Sequence, residues 1–352
     1  MTRNSPFSFA ERPRAFAPRP DALVQPGPEV TPHGFPLVRV PATSHVDLEA
    51  WIGDHQDEVR KDLNTSGAVL FRGFDIGGHA GFEAIFSAFA GPLLEYTERS
   101  SPRTALGKRS YTSTEYPPDQ SIFPHCENSY AASWPRWIGF FCTTEAEDGG
   151  ATPLVDLMRL ADRVGDPLLS SFARKGLRYR RIYGGPIGMG WQEAFQTGSP
   201  AEVEALCRQR GLQFQWRDDG ALETVRTVPA MRRHPDLNVP VWFNHAAFFH
   251  PTALPDAFRG LPPEQLPSTV TFADGNPIPD DEAQTLHEAF AEESVRFSWQ
   301  RNDLLILDNM RVAHGRDPFR GDRKIAVAMA GPLSDETCAA ARPDTGSDRG
   351  GG

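Results

Sequence analysis

The 352-residue chain is 39% hydrophobic and 23% charged, the profile of an ordinary globular protein, and holds no apolar run near the roughly 20 residues of a membrane helix. Its net charge of -10 argues against a nucleic-acid-binding surface, and its 32 prolines and 31 glycines disfavour a helical bundle. Cys126, Cys142, Cys207 and Cys338 lack CxxC spacing and fit a reducing compartment. With no apolar signal segment, the expected location is the cytoplasm.

Residues 1–36 read as a proline-rich arm, 37–333 as one domain without linker or repeat, and 334–352 as a flexible tail ending in glycines. The first helix is expected from Asp47, a suitable N-cap, to about Asn64. Leu48, Trp51, Ile52, Val59 and Leu63 share one face at helical spacing. Gly67 ends it, and Ala68 to Phe71 reads as a buried strand. A second helix carries the stripe Phe82, Ile85, Phe86 and Phe89, which is core, and stops at Gly91-Pro92.

Residues 96–118 are polar and irregular and lead directly into Phe123-Pro124-His125-Cys126-Glu127, so they are candidates for a pocket wall. After that motif, Trp137 to Cys142 reads as a core strand. A turn over 146–150 returns Ala151 to Asp156 as its hairpin partner, bringing Thr152 beside the His125 strand. Arg178 to Tyr183 is strand-like. The following run Gly184 to Gly190 lacks GxGxxG and reads as a mobile loop rather than a phosphate cradle. Ser199-Pro200-Ala201-Glu202 has capping-box spacing and opens a helix to about Arg210. Val239 to His245 is strand-like. A helix over 281–293 precedes strands Val295 to Trp299 and Leu304 to Asn309. His314 lies just beyond, and Arg323 opens a last strand to Met329.

His125 and Glu127, two apart on an extended segment, point to one side and can reach one metal ion. With a distant histidine they make the two-histidine, one-carboxylate triad of Fe(II) oxygenases. His314 is the best third ligand because it leads into an arginine-bearing strand; His245 and His250 are the competitors. Arg323 suits the far carboxylate of a dicarboxylate, which a guanidinium fork matches bidentately. Lys324 is its neighbour and rival.

His125-x-Glu127, Gly149-Gly150-Ala151-Thr152-Pro153, and Asp308-Asn309 through His314-Gly315-Arg316 to Gly321-Asp322-Arg323 resemble the TauD/TfdA family, in the family's order and over about residues 37–332. The resemblance implies a mainly β fold with flanking helices around a double-stranded β-helix, a cupin-like jelly roll. It implies His125, Glu127 and His314 as ligands of Fe(II), Thr152 and Arg323 as contacts to 2-oxoglutarate, and O2 as co-oxidant. The outcome is succinate, CO2 and an oxidised C–H bond. Related halogenases lack the carboxylate, so Glu127 favours hydroxylation, with desaturation or epoxidation as variants.

A narrower resemblance is to the SyrP-like branch, carried by His125 to Tyr130 with Trp134-Pro135, Trp191 to Thr197, and Val241-Trp242-Phe243-Asn244-His245. It implies an amino-acid-like small-molecule substrate in natural-product biosynthesis, free or held on a peptidyl carrier protein. Arg103, Thr112, Thr114, Asn244 and His245 are the candidate substrate contacts. Other readings are a taurine-dioxygenase-like reaction on another small carboxylate or sulfonate, a zinc hydrolase, and a non-catalytic jelly-roll binding module. The hydrolase has no use for Thr152 and Arg323, and the binding module would be expected to have lost a ligand.

Overall fold

The computed structural model describes residues 23–95, 107, 109–112, 116–254, 258 and 260–341. The first part of the chain comprises β1 (Val24–Pro26), β2 (Leu37–Pro41), α1 (Leu48–Asp54), α2 (Gln56–Ser66), β3 (Ala68–Phe71), α3 (Gly78–Ala90) and β4 (Tyr111–Thr112). Next come β5 (Ile122–His125), β6 (Ser133–Thr144), β7 (Asp148–Gly149) and β8 (Leu154–Asp156). The middle holds α4 (Leu157–Val164), α5 (Asp166–Lys175), β9 (Leu177–Tyr183), α6 (Trp191–Phe195), α7 (Pro200–Gln209), β10 (Gln213–Trp216) and β11 (Leu222–Val228). It continues with β12 (Arg232–Arg233), β13 (Pro240–Val241), α8 (Ala246–Phe249), β14 (Ser268–Phe272) and α9 (Asp280–Glu293). The chain closes with β15 (Leu304–Asp308), β16 (Val312–Arg316), β17 (Phe319–Arg320) and β18 (Lys324–Ser334).

A seven-stranded sheet in the order β1-β2-β3-β15-β6-β18-β4 forms one wall, and a three-stranded sheet β5-β16-β8 forms the other. Strand alternation divides the large sheet into two faces. Val69, Phe71, Trp137, Phe141, Leu304 and Ile306 face Trp51, Leu63, Phe82 and Phe86 of the three N-terminal helices. Ala68, Leu70, Ile138, Phe140, Leu305, Leu307, Ile325 and Val327 face inward, where Leu154 and Val312 of the small sheet meet them. The helix side is thinned where α3 crosses. Ala326, Ala328 and Ala330 lie there, and a Cβ on Gly139 would stand 3.0 Å from the Phe86 ring. A separate four-stranded sheet, β10-β11-β9-β14, belongs to the middle insertion.

Several expected elements differ in detail. The helix over 47–64 is two helices: Asp47 caps α1 by accepting from the Ala50 N–H, but the backbone leaves helical angles at His55 (φ -122, ψ 30). There the imidazole stacks on Trp51 at 4.6 Å, and its Nδ1 donates to the Trp51 carbonyl. Strand β6 does not pair with β8. It lies between β15 and β18, while β8 pairs with β16 in the other sheet. Thr152 is therefore separated from the His125 strand by the His314 strand. Residues 295–299 make only a single bridge, Val295 to Leu154, and the extended segment 239–245 pairs only over Pro240–Val241.

The 36/37 boundary falls inside the antiparallel β1–β2 pair, and beyond 334 a bridge from Ala340 to Arg232 and the burial of Cys338 tie the chain to the domain. Gly184 to Gly190 forms a loop closed by the Gly184 N–H on the Met189 carbonyl. Among the described residues, no helix is long and apolar enough to cross a membrane.

Candidate metal centre and cosubstrate anchor

Strand pairing sets the two histidines. His314 and His125 are direct cross-strand partners on β16 and β5, so their side chains share a face, with ring centres 5.0 Å apart. The pairing slips after them, because two residues of β5, Phe123 and Pro124, oppose the single Gly315 of β16 between this pair and Arg316–Ile122. Such an irregularity re-aims side chains at the edge of a site. It also explains Gly315, where a Cβ would lie 2.4 Å from the Ile122 carbonyl oxygen. The His125 Nδ1 donates to the Phe123 carbonyl at 2.9 Å, which leaves the Nε2 lone pair for a ligand role. His314 packs edge-on to Phe140 of the large sheet.

Glu127 is not on the strand. β5 ends at His125, and Glu127 begins a turn completed by Asn128 at φ 56. Its position is fixed from across the fold by Asn309, which follows β15 and is fully buried. The Asn309 Oδ1 accepts from the Glu127 N–H (2.7 Å), while Nδ2 donates to the Glu127 carbonyl (2.9 Å) and the Pro135 carbonyl (2.8 Å). Nothing in the sequence assigned this clamp; the signal was only a polar residue at the end of an apolar strand. The result is a group, His125, Glu127 and His314, whose ligand atoms all lie within 4.8 Å of one another. Glu127 is 3% exposed. Two neutral imidazoles and one buried carboxylate on one side of a centre are a donor set that suits Fe(II) and leaves positions open.

The second cluster lies one strand over. Leu154 pairs with His314, and the ladder continues past the strand ends through Gly315 N–H to Pro153 O (2.9 Å) and Asp317 N–H to Ala151 O (3.0 Å). Thr152 is two positions from Leu154 and so shares its face. The Thr152 Oγ1 accepts from the Trp299 indole (3.0 Å) and from Arg323 Nη2 (3.3 Å), and Arg323 Nε donates to the Gly150 carbonyl (2.8 Å). Lys324 is exposed, whereas Arg323 is half-buried. Burial, and then the neighbouring Arg316, lower the Arg323 pKa to about 10, so it remains charged at neutral pH. Trp299 is the residue that sequence reading misplaced on a regular strand.

His245 is drawn close to the centre, 5.7 Å ring to ring from His125, and its Nδ1 shares a 2.5 Å hydrogen bond with Ser129 Oγ. Burial above all pushes its pKa well below the ordinary imidazole value, so it is a wall residue rather than a cation. Asn244 is engaged elsewhere. Its amide donates to the Ala230 carbonyl and accepts from the Ala246 N–H, capping the turn into α8. Thr112 pairs with Ala326, which faces the helices, while Tyr111 pairs with Val327 and faces inward. The register thus sends Thr112 away from the site. Arg103 and Thr114 lie outside the described residues. His250 is held apart from the centre, by Thr252 and the Ile278 carbonyl.

The family model for taurine catabolism dioxygenase TauD, TfdA matches residues 30–329. The dapdiamide synthesis protein DdaC of Enterobacter agglomerans is 36% identical over 298 residues, 83% of this chain and 90% of that protein. A clavaminate synthase-like protein of Arabidopsis thaliana is 31% identical over 317 residues, 87% of this chain and 94% of that protein. Among solved structures, PvcB of Pseudomonas aeruginosa superposes with a TM-score of 0.54 at 14% identity, covering 91% of this chain and 94% of that chain. At that identity the likeness speaks to fold, and it agrees with the cupin-like jelly roll expected from the motifs.

Proposed function

Because the chain belongs to the TauD/TfdA family of Fe(II)- and 2-oxoglutarate-dependent oxygenases, we propose that His125, Glu127 and His314 hold its iron and that Thr152 and Arg323 hold 2-oxoglutarate. The observation that carries this is the cross-strand placement of His314 opposite His125, with the buried Glu127 carboxylate beside them. Bound there, Fe(II) with 2-oxoglutarate and O2 supplies an oxidant strong enough for an unactivated C–H bond, releasing succinate and CO2.

The chain's own groups have distinct roles. His125 and His314 bind as neutral imidazoles, and Glu127 supplies the anionic oxygen, held in place by Asn309. Arg323 faces the far carboxylate of 2-oxoglutarate, its fork oriented by the Gly150 carbonyl. Thr152 accepts two hydrogen bonds at Oγ1, so its own proton is the group it offers to that carboxylate. Phe140 and Phe248 beside the imidazoles restrict water.

The substrate class proposed is an amino acid or an aminoacyl group in natural-product biosynthesis, oxidised by hydroxylation. It is supported by the 36% likeness to a dapdiamide synthesis protein. A peptidyl carrier protein is the partner in the tethered form of that substrate. A cytoplasmic setting fits four free, buried cysteines. The test is iron- and O2-dependent succinate release. Equal activity with zinc and no oxygen uptake would return the hydrolase reading.

A further inference from the structure

The His245 imidazole is 3% exposed and stands at the edge of the metal centre, 5.7 Å ring to ring from His125. Its surroundings hold it still. The Tyr130 and Phe248 rings meet it at near right angles, 4.9 and 5.4 Å away, and Phe249 lies at 4.9 Å. Its backbone N–H donates to the Tyr179 hydroxyl at 2.8 Å. The buried Arg232 donates through Nη1 to the carbonyls of both Ser129 (3.3 Å) and Phe243 (3.1 Å). One guanidinium thus ties the turn that follows Glu127 to the segment carrying His245.

Ser129 Oγ, in a fully buried residue, bonds only His245 Nδ1 among the described residues. A buried hydroxyl proton needs an acceptor, and Nδ1 is the one within reach. Ser129 therefore donates, Nδ1 accepts, and the ring proton sits on Nε2. That Nε2 makes no hydrogen bond to any described residue. A buried N–H without an acceptor is costly, so a donor held this firmly points to an acceptor brought in from outside.

Strand order says which molecule brings it. His125 is on β5 and His314 on β16, with Thr152 and Arg323 beyond them beside β8. His245 and Phe248 pack on the His125 side of that row, away from the proposed 2-oxoglutarate anchor. We infer that His245 binds the substrate, its Nε2–H donating to a carbonyl or carboxylate oxygen near the carbon that is oxidised, and that Ser129 is the positioning residue that fixes the ring's proton. The inference rests on the oxygenase reading above and adds a recognition element to it. A free amino acid and a thioester-held aminoacyl group both carry such an oxygen. The amine left when the carboxyl is removed does not.

Two measurements test it. In zinc-loaded, and so diamagnetic, protein labelled with ¹⁵N-histidine, long-range ¹H–¹⁵N correlation should show His245 as the Nε2–H form, its signal identified by its loss in His245→Gln. Ser129→Ala should turn that signal into a mixture of tautomers. A wild-type proton on Nδ1 alone overturns the inference. The second measurement is steady-state kinetics of the iron-loaded protein on the proteinogenic L-α-amino acids, their pantetheinyl thioesters and the corresponding amines, read as succinate release above background. The best acid or thioester should exceed its amine in kcat/KM, and whichever of the two is preferred identifies the source of the oxygen. His245→Phe keeps a ring without a donor and should raise the KM of that probe about tenfold or more, whereas His245→Gln keeps an N–H and should recover most of the loss. An amine turned over as well as its acid, no probe turned over, or a phenylalanine loss that glutamine does not rescue overturns the inference. The wild-type spectrum and the acid-to-amine ratio decide it even if a variant fails to fold. Background 2-oxoglutarate decarboxylation by the wild type separates the two claims. Its absence counts against the oxygenase reading, whereas its presence beside any of those outcomes refutes only the role of His245.

Discussion

The two facing sheets are built on different rules. The large sheet is apolar on both faces, its strands alternate between helices and interior with a single slip of the β6–β18 pairing at Lys324–Ile325, far from its centre, and Ile306 and Leu305 are fully buried on opposite sides. The small sheet is short and slipped in register beside its two histidines, and its third proposed ligand lies off the strand altogether. Regular packing makes a rigid wall; the irregular sheet places polar groups where a wall could not. Stability and the proposed chemistry are therefore assigned to opposite sides of one interior, and substitutions should separate them.

The largest effect is expected on the small sheet. His125→Ala, Glu127→Ala or His314→Ala should abolish turnover and tight iron retention while the thermal transition persists, measured by metal content, succinate release and calorimetry. Arg323→Ala should weaken 2-oxoglutarate binding by roughly 30-fold to several thousand-fold, with far less change in iron affinity. Asn309→Ala leaves all three ligands in place but frees the Glu127 peptide. Iron affinity should fall on the order of 10–100-fold, the scale seen when groups orienting a ligand are removed. The smallest effect belongs to the large sheet: Ile306→Val should cost about 0.5–1.5 kcal/mol in denaturant unfolding and leave iron affinity unchanged. A comparable loss of iron affinity from Ile306→Val would remove the division between the sheets.

What was legible in the sequence follows the same division. Strands with an unbroken apolar run, Ala68 to Phe71 and Leu304 to Asp308, lie within the expected segments 68–71 and 304–309, because a short continuous apolar run bounded by turn residues reads as a strand buried on both faces. The capping of α7 by Ser199 was equally plain, since it depends on residues three apart. Pairing partners were not legible. Which strand lies beside β8 depends on contacts more than 150 residues distant in sequence, and local turn residues suggested a hairpin that does not form. The break at His55 was hidden because it arises from a side chain bonding its own helix rather than from glycine or proline.

At the proposed site, motif spacing reports His125, Glu127 and His314 as candidates, and the structure brings their ligand atoms within 4.8 Å of one another. Asn309 and Trp299 were not legible, since each meets its partner, Glu127 and Thr152 respectively, only through the fold. Thr112 shows the reverse error: a polar residue near a motif, turned by strand register toward the helices.

The most direct test is an anaerobic titration of 2-oxoglutarate into iron-loaded protein, following the visible metal-to-ligand charge-transfer band. The wild type should give a saturable band, Arg323→Ala the same band at much higher 2-oxoglutarate, Lys324→Ala a nearly unchanged curve, and His314→Ala none. A full-strength band in His314→Ala, or an unchanged dissociation constant in Arg323→Ala beside a large loss in Lys324→Ala, would contradict the assignment of the centre and its anchor.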